Sequence, residues 1–372
     1  MKRKYQLYLI LFALAVLPQI GCSDWTEVEA EDYFEMPSEE YYAALRKYKK
    51  SPHQIAFGWF GNWSGEGASL VNSLAGIPDS VDVVSIWGNW SNLTTMQKKD
   101  MEFCQQKKGT RFTLCFIIQN IGDQITPRSV YDTYKEEGFS SESEAVKYFW
   151  GWKEGNEEAI AGAIRQYAKA IVDTIHKYNY DGFDIDYEPH FGHSGSLAGN
   201  NGRMMTFVDE LGKYLGPKSG SGKLLIVDGE PQSMPSESGT YFDYFIIQSY
   251  YSPGDIDLDN RLLYRGPAGT PSLVSNFIKV MDEEEITRKL VVTENFEAVD
   301  VAMNGGYNFV DRDGNKMKSL EGMARWKPEN GFEKGGVGTY HMEAEYPANP
   351  EYKNLRRAIQ IMNPSPYPLE RY

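Results

Sequence analysis

The stretch Tyr180-Asp181-Gly182-Phe183-Asp184-Ile185-Asp186-Tyr187-Glu188-Pro189 constrains this chain more than any other. Side chains of a β-strand alternate between its two faces. Read as a strand, the segment puts Gly182, Asp184, Asp186 and Glu188 on one side and Phe183, Ile185 and Tyr187 on the other. The second side suits packing beneath a helix. The first sets three carboxylates in a row, which repel one another and are costly to bury uncompensated. Folding alone favours agreement between local pattern and environment, so a strand that keeps this conflict points to chemistry. A solvated edge strand or a calcium loop carries a similar pattern. A long amphipathic helix immediately before it argues against the edge strand, and the lack of EF-hand spacing argues against calcium.

That helix covers residues 156–178, with Ile160, Ile164, Tyr167, Ile171, Ile175 and Tyr178 forming one apolar stripe. Around it, apolar runs alternate with helical stretches. The runs lie at 55–60, 81–87, 111–118, 182–188, 223–227, 244–250, 290–294 and 336–340. Helices are expected near 39–49, 68–74, 94–108, around Met205, Val208, Leu211 and Leu215, at 272–281 and at 351–362, with 121–155 as a long insertion. Eight strands alternating with helices suit an α/β fold of the TIM-type (β/α)8 barrel, as one catalytic domain over 53–372. A doubly wound sheet usually carries a glycine-rich loop after its first strand; here Trp59-Phe60-Gly61-Asn62-Trp63 follows instead.

In such a barrel, reacting groups sit at the carboxyl ends of the strands. The acidic strand is the fourth, so Glu188 lies nearest the mouth and Asp184 deepest. The other strand ends offer Trp59, Trp87, Asn120, Asp228, Gln248, Tyr250, Glu294 and Tyr340. Carboxylates ringed by aromatics and amides suit a sugar cleft, where flat rings stack on pyranose faces. Glu188 is the candidate proton donor, and its acidic neighbours should hold at least one proton near neutral pH. His190 and His193 follow closely enough to line the site. The five histidines show no metal spacing, and nothing implies a cofactor or metal ion. Cys104 and Cys115 read as small buried hydrophobes. A net charge of −14 disfavours nucleic acid as a partner. No heptad run defines an oligomeric state.

Asp181, Asp184, Asp186 and Glu188, with Gly182, resemble the Asp-x-x-Asp-x-Asp-x-Glu signature of glycoside hydrolase family 18, which contains chitinases and endo-β-N-acetylglucosaminidases. The resemblance implies substrate-assisted hydrolysis. Glu188 protonates the leaving oxygen, Asp186 orients the substrate's 2-acetamido group, Asp184 tunes Asp186, and Tyr250 contacts the acetamido carbonyl. Asp181 is expected to be structural. Chitinases commonly carry Met-x-Tyr-Asp at the sixth strand, where this chain has Gln248-Ser249-Tyr250-Tyr251. The eighth strand ends in Tyr340-His341-Met342-Glu343, without the usual chitinase tryptophan, and no insertion domain is evident between strands seven and eight. These departures look more like the Endo F and Endo H type, whose substrates are Asn-linked glycans or glycoproteins. A chitinase-like hydrolase and a non-catalytic glycan-binding protein are the alternatives.

The chain opens with Lys2, Arg3 and Lys4, an apolar run, and Leu17-Pro18-Gln19-Ile20-Gly21-Cys22. This resembles a bacterial lipoprotein signal peptide over 1–21, with Gln19 departing from the usual pattern and Cys22 as the lipidated residue. The resemblance implies an outer-membrane anchor in a Gram-negative bacterium. Residues 22–52 read as an acidic tether and a short helix. The acids after Cys22 resemble surface-export signals.

Overall fold

The computed structural model describes residues 37–67 and 69–364. The expected signal peptide, Cys22 and the acids following it lie outside the described residues. The short helix forms over Glu39–Lys49, where the Ser38 hydroxyl accepts the Tyr41 N–H at 3.2 Å. From Ala43 onward the described residues form one compact unit, which contains the whole barrel.

Eight parallel strands close on themselves: β1 (Ile55–Phe60), β2 (Val83–Trp87), β3 (Arg111–Ile117), β4 (Gly182–Tyr187), β5 (Leu224–Gly229), β6 (Tyr244–Gln248), β7 (Leu290–Asn295) and β10 (Gly336–Tyr340). Between the last two, β8 (Asn308–Val310) and β9 (Lys316–Lys318) form a small antiparallel hairpin. The helix before β4 spans Glu157–Tyr178. Asn156 caps it by accepting the Ala159 N–H at 3.0 Å, and Asn179 ends it at φ 60°.

Two apolar layers hold the barrel. Phe183, Ile185 and Tyr187 face outward into the larger layer beneath the helices, where the Phe183 and Phe116 rings lie 5.1 Å apart. A smaller layer, including Phe57, Trp59, Val83, Ile226 and Val291, plugs the interior. Gly182 is required where β4 begins, because a Cβ there would lie 2.3 Å from the Leu224 carbonyl oxygen of β5.

At the amino ends of the strands, one device recurs three times. Asp82, just before β2, accepts the Ala56 N–H of β1 at 2.9 Å. Asp181, before β4, accepts the Phe112 N–H of β3 at 2.9 Å. Asp243, before β6, accepts the Leu225 N–H of β5 at 2.8 Å. Each carboxylate satisfies a backbone donor that the ladder leaves open. Asp181 also receives the Gln105 amide at 2.8 Å, giving it the structural role expected of it.

Several helices differ from expectation. The stretch near 68–74 holds short 3-10 turns at Leu70–Asn72 and Leu74–Gly76. The third helix changes from α over Thr95–Phe103 to a π turn over Cys104–Lys108. The insertion carries helices at Arg128–Thr133 and Glu142–Phe149. Cys104 and Cys115 are free and buried.

Candidate active site

The carboxyl ends of the strands enclose a cavity of about 200 Å³ lined by Trp59, Trp87, Ile117, Asp186, Glu188, Asp228, Gln248, Tyr250 and Tyr340. Strand register explains the acidic wall. Asp186 and Asp228 are direct partners on β4 and β5, so their side chains leave the ladder toward the same interior. Cys115 pairs with Asp184 in the same way on β3 and β4. Glu188 stands at the end of β4, partly open to solvent, while Asp184 is fully buried and Asp186 is 4% exposed.

The acids are held close by the absence of a side chain opposite them. Gly229 ends β5 at φ 81°, and a Cβ there would lie 2.8 Å from Glu188 Cγ and 3.3 Å from Asp186 Oδ1.

Hydrogen bonding is uneven. The Ser85 hydroxyl donates to Asp184 Oδ2 at 2.5 Å. The Gln248 amide donates to Asp228 Oδ1 at 3.1 Å, and the Cys115 thiol to Asp228 Oδ2 at 3.6 Å. Asp184 Oδ1 and Asp186 Oδ1 are buried and receive none of these donors. The Asp228 carboxyl lies within hydrogen-bonding reach of both acids.

Burial is the main cause that pushes the Asp184 carboxyl up to about 6, against the Ser85 hydrogen bond. Burial, then the charges of Glu188 and Asp184, hold Asp186 well above the ordinary aspartate range. Burial, then Asp186 and Asp184, do the same for Asp228. Burial and the neighbouring acids keep Tyr250 a neutral phenol, able to donate. Burial and mutual repulsion thus favour the protonated forms of this trio beneath Glu188.

Opposite the acids lies an aromatic wall. The Tyr340 ring meets Trp59 at 6.1 Å, Trp87 at 6.2 Å and Tyr250 at 6.0 Å, the last nearly parallel. Trp59 is only 2% exposed, so it supports this wall from below. Three residues just past strand ends adopt left-handed backbone: Asn89 (φ 49°), Tyr251 (φ 62°) and His341 (φ 51°). Such strain gathers at sites that must hold an unusual shape.

Two residues expected to bind substrate are turned elsewhere. Asn120 does not line the cavity; its Oδ1 accepts the Ser196 N–H at 2.9 Å and fixes the loop after β4. Glu294 is fully buried, and its Oε1 accepts the N–H groups of Tyr251 at 3.0 Å and Asn295 at 2.8 Å. In both cases loop amides needed an acceptor more than the cavity needed a lining. Ile117 lines the cavity unannounced, since an apolar strand residue carries no distinguishing signal. His193 Nδ1 lies 3.1 Å from Glu188 Oε2, whereas His190 pairs with Glu230 at 2.6 Å.

A family model described as glycoside hydrolase family 18, BT1044-like, matches residues 26–361. A solved structure of BT1044, in a selenomethionine form carrying a Glu-to-Gln substitution, is 35% identical, with a TM-score of 0.72 over 88% of this chain and 93% of that one. Endo-beta-N-acetylglucosaminidase F2 of Elizabethkingia meningoseptica is 24% identical over 342 residues, 86% of this chain and 85% of its own length. Endo-beta-N-acetylglucosaminidase EndoS of Streptococcus pyogenes serotype M1 is also 24% identical, across 76% of this chain but only 29% of its own length. The apo structure of the Cordyceps militaris endo-beta-N-acetylglucosaminidase shares the fold at a TM-score of 0.54 and 21% identity, over 89% of this chain and 98% of that one. With its acid-bearing fourth strand at the mouth of a closed barrel, the chain belongs to glycoside hydrolase family 18.

Proposed function

We propose that the protein is an endo-β-N-acetylglucosaminidase that cleaves the GlcNAc-β1,4-GlcNAc bond of Asn-linked glycan cores. One observation carries the mechanism. Among the described residues, every carboxyl group lining the cavity comes from β4, the position just past its end, or β5, and the rest of the lining is aromatic rings, the Gln248 amide and Ile117. A retaining glycosidase needs a nucleophile across the bond from its acid. With no carboxylate across the cavity among the described residues, the substrate's own 2-acetamido group fills that role.

Glu188 gives its proton to the glycosidic oxygen as the C1–O bond breaks. The acetamido carbonyl oxygen forms a bond to C1, closing an oxazolinium ring whose positive charge lies against Asp186. Burial disfavours ionised Asp186 until that cation appears, so its attraction is greatest in the transition state. Tyr250 donates its hydroxyl toward the acetamido oxygen. Water then attacks C1, Glu188 takes its proton, and the configuration is retained. Asp184 and Asp228 position Asp186.

The test is digestion of an N-glycopeptide followed by mass analysis. Peptide retaining one N-acetylglucosamine supports the reading; peptide freed of both, or left uncut, removes it. The two relatives with endoglycosidase names support this substrate class over chitin. We also propose that Cys22 is lipidated and anchors the enzyme at the bacterial surface. Labelling by a fatty acid that survives Cys22→Ala would remove that assignment.

A further inference from the structure

We propose that Tyr251 and Tyr307 form a sugar-stacking platform on the rim of the cleft, which receives a pyranose ring of the N-glycan beyond the residue being cleaved. This rests on the endoglycosidase reading above. Tyr251 directly follows Tyr250 of the cavity, and its side chain is 56% exposed. The half-buried Tyr307 meets it with ring centroids 4.6 Å apart at 66°. The apolar face of a pyranose matches an exposed ring of this kind.

The pair is built rather than incidental. Tyr251 is held at φ 62°, a conformation that a bulky side chain adopts only when its surroundings impose it. What imposes it is Glu294, through the Tyr251 N–H. The segment leading to the other half of the pair packs against the same residue. A Cβ on Gly306 would lie 3.2 Å from Glu294 Cγ and 2.1 Å from Ser319 Oγ, and the Ser319 hydroxyl accepts the Tyr307 N–H at 2.9 Å. The hairpin beyond Tyr307 then locks to the loop beyond Tyr251, with the Val310 N–H donating to the Pro253 carbonyl at 2.9 Å. Two loops from different barrel strands thus converge on one buried acid, and the product of that convergence is two tyrosine rings at the mouth. Rigid aromatics bind with little loss of conformational entropy.

The test compares wild type with Tyr307→Ala, Tyr307→Phe and Tyr251→Asn on a biantennary N-glycopeptide. Asn is chosen because it accepts left-handed backbone. Tyr307→Ala and Tyr251→Asn should each raise KM roughly five- to tenfold, the size expected for one aromatic contact. Tyr307→Phe should restore it, and melting temperatures should match wild type. A loss confined to kcat, an unchanged KM, or a fall in Tm that accompanies the loss overturns the platform. Failure of wild type to cut the glycopeptide removes the endoglycosidase reading itself, so the two failures are distinguishable.

Discussion

Asp82, Asp181 and Asp243 stand at one end of the barrel; Asp184, Asp186 and Asp228 stand at the other. The first three each accept a backbone N–H from the neighbouring strand. The second three face one another, with two oxygens left outside any ordinary donor. The residue type is the same and only its partners differ. Nearby buried cations follow the pattern of the first group: Lys108 Nζ meets the Ala75 and Ile77 carbonyls at 2.7 and 2.9 Å and Asp79 at 2.9 Å. Charge at the amino ends is compensated and stabilises the fold. Charge at the carboxyl ends is compressed, and that compression favours the protonated carboxyl forms beneath Glu188.

The largest expected break in this comparison comes from Asp186→Asn. In the proposed mechanism it removes the carboxylate that meets the developing cation, so kcat should fall by a factor of about 10² to 10³, with Tm equal to or above wild type. A fall in Tm with activity intact would reverse the assignment of the two ends. Gly229→Ala comes next. Its methyl group would strike Glu188 Cγ and the Tyr187 carbonyl, both at 2.8 Å, and push the acid from its place. Rates on glycopeptide should drop about 100-fold, since a displacement near 1 Å costs that much; normal kcat would show that Glu188 tolerates the shift.

At the opposite end, Asp181→Ala should leave kcat near wild type and lower stability. Exposing the unpaired Phe112 N–H costs about 1–3 kcal/mol, which thermal melting reads as a fall of several °C, roughly 2–4 °C per kcal/mol. The smallest effect belongs to Asp228→Asn, read as a pH dependence. A carboxyl whose folded pKa is raised contributes stability that is present below its unfolded value, about 4, and lost as pH rises toward the folded value. Asp228 lies well above that range, and Asp184 rises to about 6. The Tm of Asp228→Asn relative to wild type should therefore grow by about 2 °C or more between pH 5 and pH 8. A constant difference would mean that Asp228 is ionised in the native protein.

Much of this comparison was legible in the chain itself. Period-two alternation in β4 placed Asp184, Asp186 and Glu188 on one face, and barrel geometry ordered them from floor to mouth. Asp228 could be named as a strand end, but its partnership with Asp186 depends on a register that only the closed barrel defines. Asn120 and Glu294 sit at strand ends as expected, yet strand position does not say whether a side chain turns to the cavity or to a loop amide. The repeated apolar-Asp pair before three strands, in Val81-Asp82, Tyr180-Asp181 and Phe242-Asp243, was a readable signal of the amino-end device. The hairpin beneath the tyrosine platform left less trace, because its strands are three residues each and their pattern is too short to register.

The most direct measurement is single-turnover cleavage of an N-glycopeptide by wild type and by Glu188→Gln, followed by mass spectrometry of the peptide product. The account predicts peptide bearing a single N-acetylglucosamine from wild type, and a rate at least about 10²-fold lower from the variant with glycan still bound. Equal rates from both proteins would contradict it.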